Sequence, residues 1–514
     1  MQMGLSKKVV GASRDPWHLG PAQLAPQPVA AGRPSWQVSR WPVSHAEFDR
    51  LTQAARQPDV MAPETESPAI ADAGTPLATA PTLSDNFDGI GRTELDPPDP
   101  ALAIGPDDVM TAVNAKFAVA SKSSPSFDPL PFSALFAPVL PPNATFMFDP
   151  KLAFDHFARR WIVVVVAKRE SPPGSWIMLA ASQTADPRGS YNTWALDASL
   201  DGTTPTSNWA DFPTLGFDEQ AIYVAANMVK FGGLFQSSKL RILNKHEVYA
   251  APGHAPPALR WYDISVILNP DHRTVFALQP ATHYRAAPGP AYFANALWPR
   301  GNSLTVWTLK NPLAGWNTPP AAPTFTGVSV ACQSYDVPPE AEQPGGATKI
   351  KTDDARLLNA VYHGDGPTKG LWTTHTSKFT WSGEPQARAV AQWYQLDVTA
   401  SNVVQQGRYG APGVYHYFPA IQTIANGDAF MVFARSSAAE VPQLRAAGRQ
   451  AADPPGTLGN SIVVQPGASA YAGTRWGDYF SVARDPDDDG IAWLCGEYAG
   501  PAGVWATRIC SVFF

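Results

Sequence analysis

The sequence predicts an all-β fold, a β-propeller of about seven four-stranded blades behind a Pro/Ala-rich N-terminal extension. Three observations lead there. The 514-residue chain is 44% hydrophobic but only 16% charged, well under the usual quarter. Its 52 Pro, 39 Gly and 17 Trp suit many short strands joined by turns. A hairpin theme recurs from residue 85 to the end, its copies starting about 50 to 75 residues apart.

Residues 1–84 carry stretches such as APQPVAAGRPS and PETESPAIADAGTPLATAPT, the composition of a linker or extended strap. Within them WPVSHAEFDRLTQAARQ (41–57) has the pattern of one short amphipathic helix. Residues 85–514 are expected to form the propeller domain. The repeated unit is seen by aligning DPPDPALAIGPDDVMTAVNAKF, FMFDPKLAFDHFARRWIVVVVA, ADFPTLGFDEQAIYVAANMV and LQPATHYRAAPGPAYFANALW. It continues in DDARLLNAVYHGDGPTKGLWTTH, YFPAIQTIANGDAFMVFARSS and WGDYFSVARDPDDDGIAWLCGEY. Each copy has an acidic or aromatic-Pro lead-in, a short apolar strand, a turn rich in Asp, Gly or Asn, and a strand of β-branched and aromatic residues. The spacing leaves room for two further strands, as in KLRILNKHEVY (239–249) and NSLTVWTLKNP (302–312). The rival architecture is two β-sandwiches in tandem; the repeat running through the whole body favours the propeller.

Composition also excludes. A net charge of -6, with no Lys/Arg cluster, argues against a nucleic-acid partner. Three cysteines are too few for a disulfide framework, and no CxxC pair offers a zinc site. Cys495 and Cys510 fall on the arms of a C-terminal hairpin. A turn centred on AGPAG (499–503) sets Cys510 opposite Ala492, so no bond between them is indicated. No apolar run reaches the roughly 18 residues that span a bilayer, and MQMGLSKKVVGASRDPW lacks the apolar core of a signal peptide. There is no GxSxG elbow, Walker loop, HExxH or GxGxxG.

PPDPALAIGPDDVMTAVN, DPKLAFDHFARRWIV, ADFPTLGFD, RWGDYFSVARDPDDDGIAWLCGEY and the terminal VWATRI resemble a group of bacterial exported propeller proteins described as sialidase-like or Asp-box-like. The resemblance covers residue 85 to the end. It implies the fold and an extracellular or periplasmic location, and no single activity. ASQTADPRGSYNTW (181–194) resembles an Asp-box in Ser182, Asp186, Gly189 and Trp194, with Pro187 inserted. In sialidase-like folds such boxes stabilise turns away from the active site.

In a propeller the lead-in side chains are expected near the channel mouth. They are Asp99, Asp149, Asp211, Asp353, Asp354, Arg356 and Asp478. Crowded carboxylates raise one another's pKa or recruit a cation; the plainer alternative is that each Asp caps its own turn. A glycan site needs an acid, a base or nucleophile, and groups that orient the sugar. Asp211 is the candidate acid/base, Asp478 and Glu497 the nucleophile or base, and His375 a base or orienter, with His416 a second imidazole. Arg356 and Arg475 are candidates to grip a carboxylated sugar. Trp372, Tyr417 and Trp476 offer stacking faces. The structural alternative pairs Arg475 with Asp478 and packs Trp476 in the core. Asp485, Asp487, Asp489 and Gly490 have the 1-3-5-6 spacing of a calcium loop, although Trp493 and Gly496 stand at the ninth and twelfth positions. Calcium is therefore the candidate cofactor and a polysaccharide or oligosaccharide the expected partner. The function expected is a glycan-acting enzyme, hydrolase or lyase, at the channel mouth. The alternative is a non-catalytic glycan- or protein-binding propeller with a structural cation.

Overall fold

The computed structural model describes residues 1–18, 40–58, 70–71, 79–144, 146–249, 254, 256, 258–284, 289–317, 322–346, 348–366, 368–473 and 475–514. The fold is all-β, small sheets in a propeller arrangement. The chain divides into two compact units. One comprises Met1–His45, Ala101–Phe293 and Trp307–Gly327, the other Ala46–Pro100, Ala294–Val306 and Val328–Phe514.

In the first unit, Ala101–Ile104, Asp108–Val113, Lys116–Ser121 and Leu130–Pro131 form a four-stranded meander. Phe146–Asp155, Arg160–Arg169, Gly174–Ser182 and Tyr191–Asp197 form the next. Asn208–Phe217, Ala221–Lys230, Phe235–Asn244 and Trp261–Ser265 form a third. Trp161 to Ala167 is a continuous apolar run, and every residue of it is buried. Alternation is absent because both faces pack: Ile162, Val164 and Val166 join one core cluster, Trp161, Val163, Val165 and Ala167 another. The quoted stretch 181–194 forms the turn between Gly174–Ser182 and Tyr191–Asp197. There Ser182 Oγ accepts from the Trp161 amide, Asp186 Oδ1 accepts from the Arg188 amide, and Trp194 is fully buried.

The N-terminal extension does more than link. Gln2–Leu5 adds antiparallel to Trp261–Ser265, and Ala12–Arg14 to Tyr191–Asp197, covering two sheet edges. The helix expected over 41–57 is observed as His45–Ala54, with Phe48 and Thr52 buried.

A further four-stranded sheet contains Gln279–Pro280, Ala291–Ala296, Gly301–Lys310 and Thr324–Tyr335. In the second unit, Asn359–His363, Gly370–Phe379, Arg388–Asp397 and Asn402–Gly410 make one meander. Val414–Thr423, Ala429–Ser437, Gln443–Arg449 and Ile462–Gln465 make another. Ser481–Arg484, Ala492–Ala499 and Trp505–Phe513 take their fourth strand from far upstream, Thr82–Asp88. The hairpin register corrects the expected one. Gly500 donates to the Val504 carbonyl, so the turn sits later than the AGPAG centre, and Cys510 faces Leu494 rather than Ala492. Cys332, Cys495 and Cys510 form no disulfide with one another.

The aromatic-Pro and Asp-Pro lead-ins explain themselves in these sheets. Asp149, Phe212 and Phe418 each precede a proline and hold positive φ, at 55°, 49° and 51°. Proline brings no N–H to the ladder, and the strand bulges: pairing slips between Asp211 and Thr214 and between Tyr417 and Ala420. The freed amide before each proline then needs an acceptor off the ladder. The amide of Asp149 donates to Asn114 Oδ1 at 2.8 Å and that of Phe212 to Asp149 Oδ2 at 3.0 Å. In the second unit Phe418 donates to Thr376 Oγ1 at 2.9 Å. No helix among the described residues is long and apolar enough to cross a membrane.

Thr376→Val keeps the shape of a buried side chain and removes the acceptor for the Phe418 amide. It is expected to destabilise the protein by about 1–3 kcal/mol, read as a lower urea midpoint at unchanged slope.

Candidate functional site

The sequence-derived site residues divide between the units. Asp211 lies in the first, buried on Asn208–Phe217 with Asn227 as its register partner. The others belong to the second, and the structure gathers only Tyr417, Arg475, Trp476, Asp478 and Glu497.

Residues 475–478 run as irregular backbone ahead of strand Ser481–Arg484. Arg475 Nη2 reaches both oxygens of Asp478, at 2.8 and 2.9 Å. The Asp478 amide donates to Asp99 Oδ1 at 2.6 Å, and the Gly477 amide to Glu497 Oε2 at 2.7 Å. Two successive amides thus hold two carboxylates brought from residues 99 and 497. A Cβ at position 477 would stand 2.9 Å from Glu497 Oε2, so any other residue there displaces that carboxyl. Beneath lies an aromatic floor. Trp476 meets Tyr471 edge-on at 5.0 Å and Tyr417 at 6.2 Å, and Tyr471 Oη donates to the Arg475 carbonyl at 2.7 Å.

Asp99, Asp478 and Glu497 are all buried. Burial pushes the Glu497 carboxyl well above the usual carboxylate range; the Gly477 amide pulls it back, and the charges of Asp99, Asp96 and Asp478 push it further up. Its Oε1 has no hydrogen-bond partner among the described residues.

The remaining assignments are corrected by burial and pairing. Arg356 is no open sugar grip: its fork is filled by Asp354, Nε to Oδ1 at 2.9 Å and Nη2 to Oδ2 at 2.7 Å. Trp372 and Tyr417 offer no stacking face to a ligand. Trp372 is fully buried and stacks on Trp393 at 5.7 Å, while Tyr417 is buried with its hydroxyl on Ser436 Oγ. Trp476 is likewise enclosed. His416 is buried against Tyr409 and Phe433. The calcium spacing of the 485–490 turn is engaged otherwise. Asp485 Oδ1 accepts the amides of Asp487 and Asp488, its Oδ2 accepts the Trp493 indole at 2.9 Å, and Asp489 pairs with Arg484. Asp485 is a turn cap. The sequence missed Tyr471, Gly477 and the role of Asp99. Asp99 was legible as an aligned lead-in Asp, whereas nothing local joined it to Asp478.

His375, expected as a base, is fully buried between the Ala355 carbonyl, 2.7 Å from Nδ1, and the Tyr394 hydroxyl, 3.0 Å from Nε2. Burial lowers its pKa from 6.5 to about 4, so the folded protein holds it neutral. An imidazole with a depressed pKa contributes stability above its unfolded value and loses it as pH falls through the folded one. The window is therefore pH 6.5 down to about 4. Stability is expected to drop by about 3 kcal/mol across it, and His375→Gln to flatten that dependence, in urea titrations at stepped pH.

No family model matches the chain, and no curated protein matches it. Solved structures do. A protein of unknown function from Dyadobacter fermentans is 8% identical, with a TM-score of 0.37, over 84% of this chain and 99% of its own. The GH93 α-L-arabinofuranosidase of Fusarium graminearum, in complex with arabinobiose, is 10% identical with a TM-score of 0.35, over 84% of this chain and 97% of its own. The Trypanosoma rangeli sialidase, in complex with sialic acid, is 11% identical with a TM-score of 0.34, over 79% of this chain and 59% of its own. Likeness at this distance concerns the fold and carries no argument about chemistry. In fold, the chain is similar to the sialidase-like β-propellers.

Proposed function

We propose that the protein is a non-catalytic β-propeller that binds a glycan, its about seven four-stranded sheets serving as a rigid scaffold for the ligand outside the cytoplasm. One observation carries the non-catalytic part of this reading. The acids, imidazole and Arg356 expected to do chemistry are buried, and Arg356, His375, Asp478 and Asp485 are hydrogen-bonded to other residues of the protein. A hydrolase needs a carboxyl pair that a glycosidic bond and a water can reach. The glycan part carries over the expectation drawn from the carboxylates, arginines and aromatic residues of the sequence.

A specific observation favours a second reading, glycoside hydrolysis. Asp478 is charge-paired by Arg475, while burial favours the protonated form of its neighbour Glu497. Two carboxyls in contrasting environments are how acid and base roles separate.

A glycan array and a hydrolysis and elimination panel, run on the full chain, decide between them. Binding to a glycan class without turnover is expected, with Asp478→Asn leaving binding within about threefold of wild type. Turnover that Asp478→Asn abolishes supports the hydrolase instead. Neither binding nor turnover overturns both.

A further inference from the structure

A fold made of many small sheets has many outer edges, and each edge presents backbone N–H and C=O groups that another strand can pair with. This chain guards most of them. Gln2–Leu5 and Ala12–Arg14 are laid over two, and Ile70–Ala71 over the end of a third, at Tyr409 and Gly410. Leu130–Pro131 and Ile462–Gln465 are only two and four residues long. Thr82–Asp88 carries Asp85 and Asp88. Added strands, shortness and charge are the usual protections of an edge.

Thr324–Tyr335 has none of the three. It stands at the end of its sheet, beside Gly301–Lys310, and at 12 residues it is the longest strand among the described residues. Its sequence, TFTGVSVACQSY, contains no Lys, Arg, Asp, Glu or Pro. Within the second unit the strand runs from Val328 to Tyr335. Its far end is engaged: the Gln333 amide donates to Gln406 Oε1 at 2.8 Å, and the Ser334 carbonyl accepts from Arg408 Nη2 at 2.8 Å. Val328–Cys332 lies before that contact. Val328 is 46% exposed, and Ser329 and Ala331 are exposed with it, while Val330 is buried and anchors the strand. The Gln333 bond also gives the sense of the edge. Its amide points away from Gly301–Lys310, and alternation along a strand turns the amides and carbonyls of Ser329 and Ala331 the same way.

We propose that Val328–Cys332 is an interface between two copies of this chain, paired antiparallel, edge to edge, about a two-fold axis at Val330. Symmetry and charge select the occupant. Ser329 then faces the partner's Ala331, and Ala331 faces the partner's Ser329, so the outward groups of each copy meet their complements. An identical uncharged strand brings no like charges together, and this edge offers a charged peptide nothing to pair with. The described strands of the leading segment are committed to other sheets. A two-fold contact closes on itself, so the assembly stops at a dimer. So short a pairing makes that dimer a weak one. The inference is independent of the glycan reading above.

Sedimentation velocity on the full chain, at concentrations up to about 1 mM, tests it. Wild type is expected to reach twice the mass of one chain. The double variant Ser329→Lys/Ala331→Lys sets like charges opposite each other and is expected to weaken association by about tenfold. Ser329→Glu/Ala331→Lys sets opposite charges in the same places and is expected to keep association within about threefold of wild type. Both positions are exposed, so the melting temperature is expected to stay unchanged in both variants. Wild type that remains monomeric overturns the proposal, whichever other strand the edge takes and however the variants behave. A dimer that both variants leave intact lies elsewhere on the molecule and overturns it. A dimer that both abolish alike is not paired about Val330 and overturns it too, as does growth beyond two copies.

Discussion

The second unit depends on one short hydrogen bond, from the Asp478 amide to Asp99 Oδ1 at 2.6 Å. It joins residues 379 apart in sequence. The same ends are laced by Thr82–Asp88 pairing with Trp505–Phe513, so the last sheet is completed by a strand made near the start. Closing so long a loop costs conformational entropy that grows only slowly with length. One bond cannot offset it, but a bond buried beside a full strand pairing can fix the register. That constraint gives the polar residues of the lead-ins a structural task. An amide freed by a bulge must find an acceptor, and a buried Asp, Asn or Thr supplies it.

The repeated lead-in is thus a device for turning a strand. At Asp149, Phe212 and Phe418 the residue before proline goes left-handed and the ladder slips. Asp149 shows both sides of it: its amide donates to Asn114, and its carboxylate receives the Phe212 amide. A chain of such bonds links successive hairpins.

Electrostatics sorts the buried groups into solved and unsolved cases. His375 is solved: both ring nitrogens have partners, and burial holds the ring neutral. Arg356 is solved by the fork of Asp354. Glu497 is unsolved by protein atoms. Burial disfavours its charge, one oxygen lacks a partner, and two Asp side chains stand near it. Its surroundings favour the protonated carboxyl, which carries no charge to compensate.

The sequence alone determined the all-β class, the iterated hairpin and the short helix at His45–Ala54. These follow from local pattern: apolar β-branched runs, turn residues at regular intervals, and helical spacing in one segment. It offered an Arg475–Asp478 pair as the structural alternative to a sugar grip, and the structure shows that pair. Tertiary structure decided the rest. Trp372 and Tyr417 read as stacking platforms until neighbouring sheets covered them, because composition names an aromatic ring and only packing says what lies on its face. The calcium spacing of Asp485 gave way to an indole donor eight residues on. Cys510 fell opposite Leu494 because the placement of one tight turn shifts every pairing after it. Asp99 met Asp478 only through the fold, for a contact across 379 residues leaves no local periodicity to read.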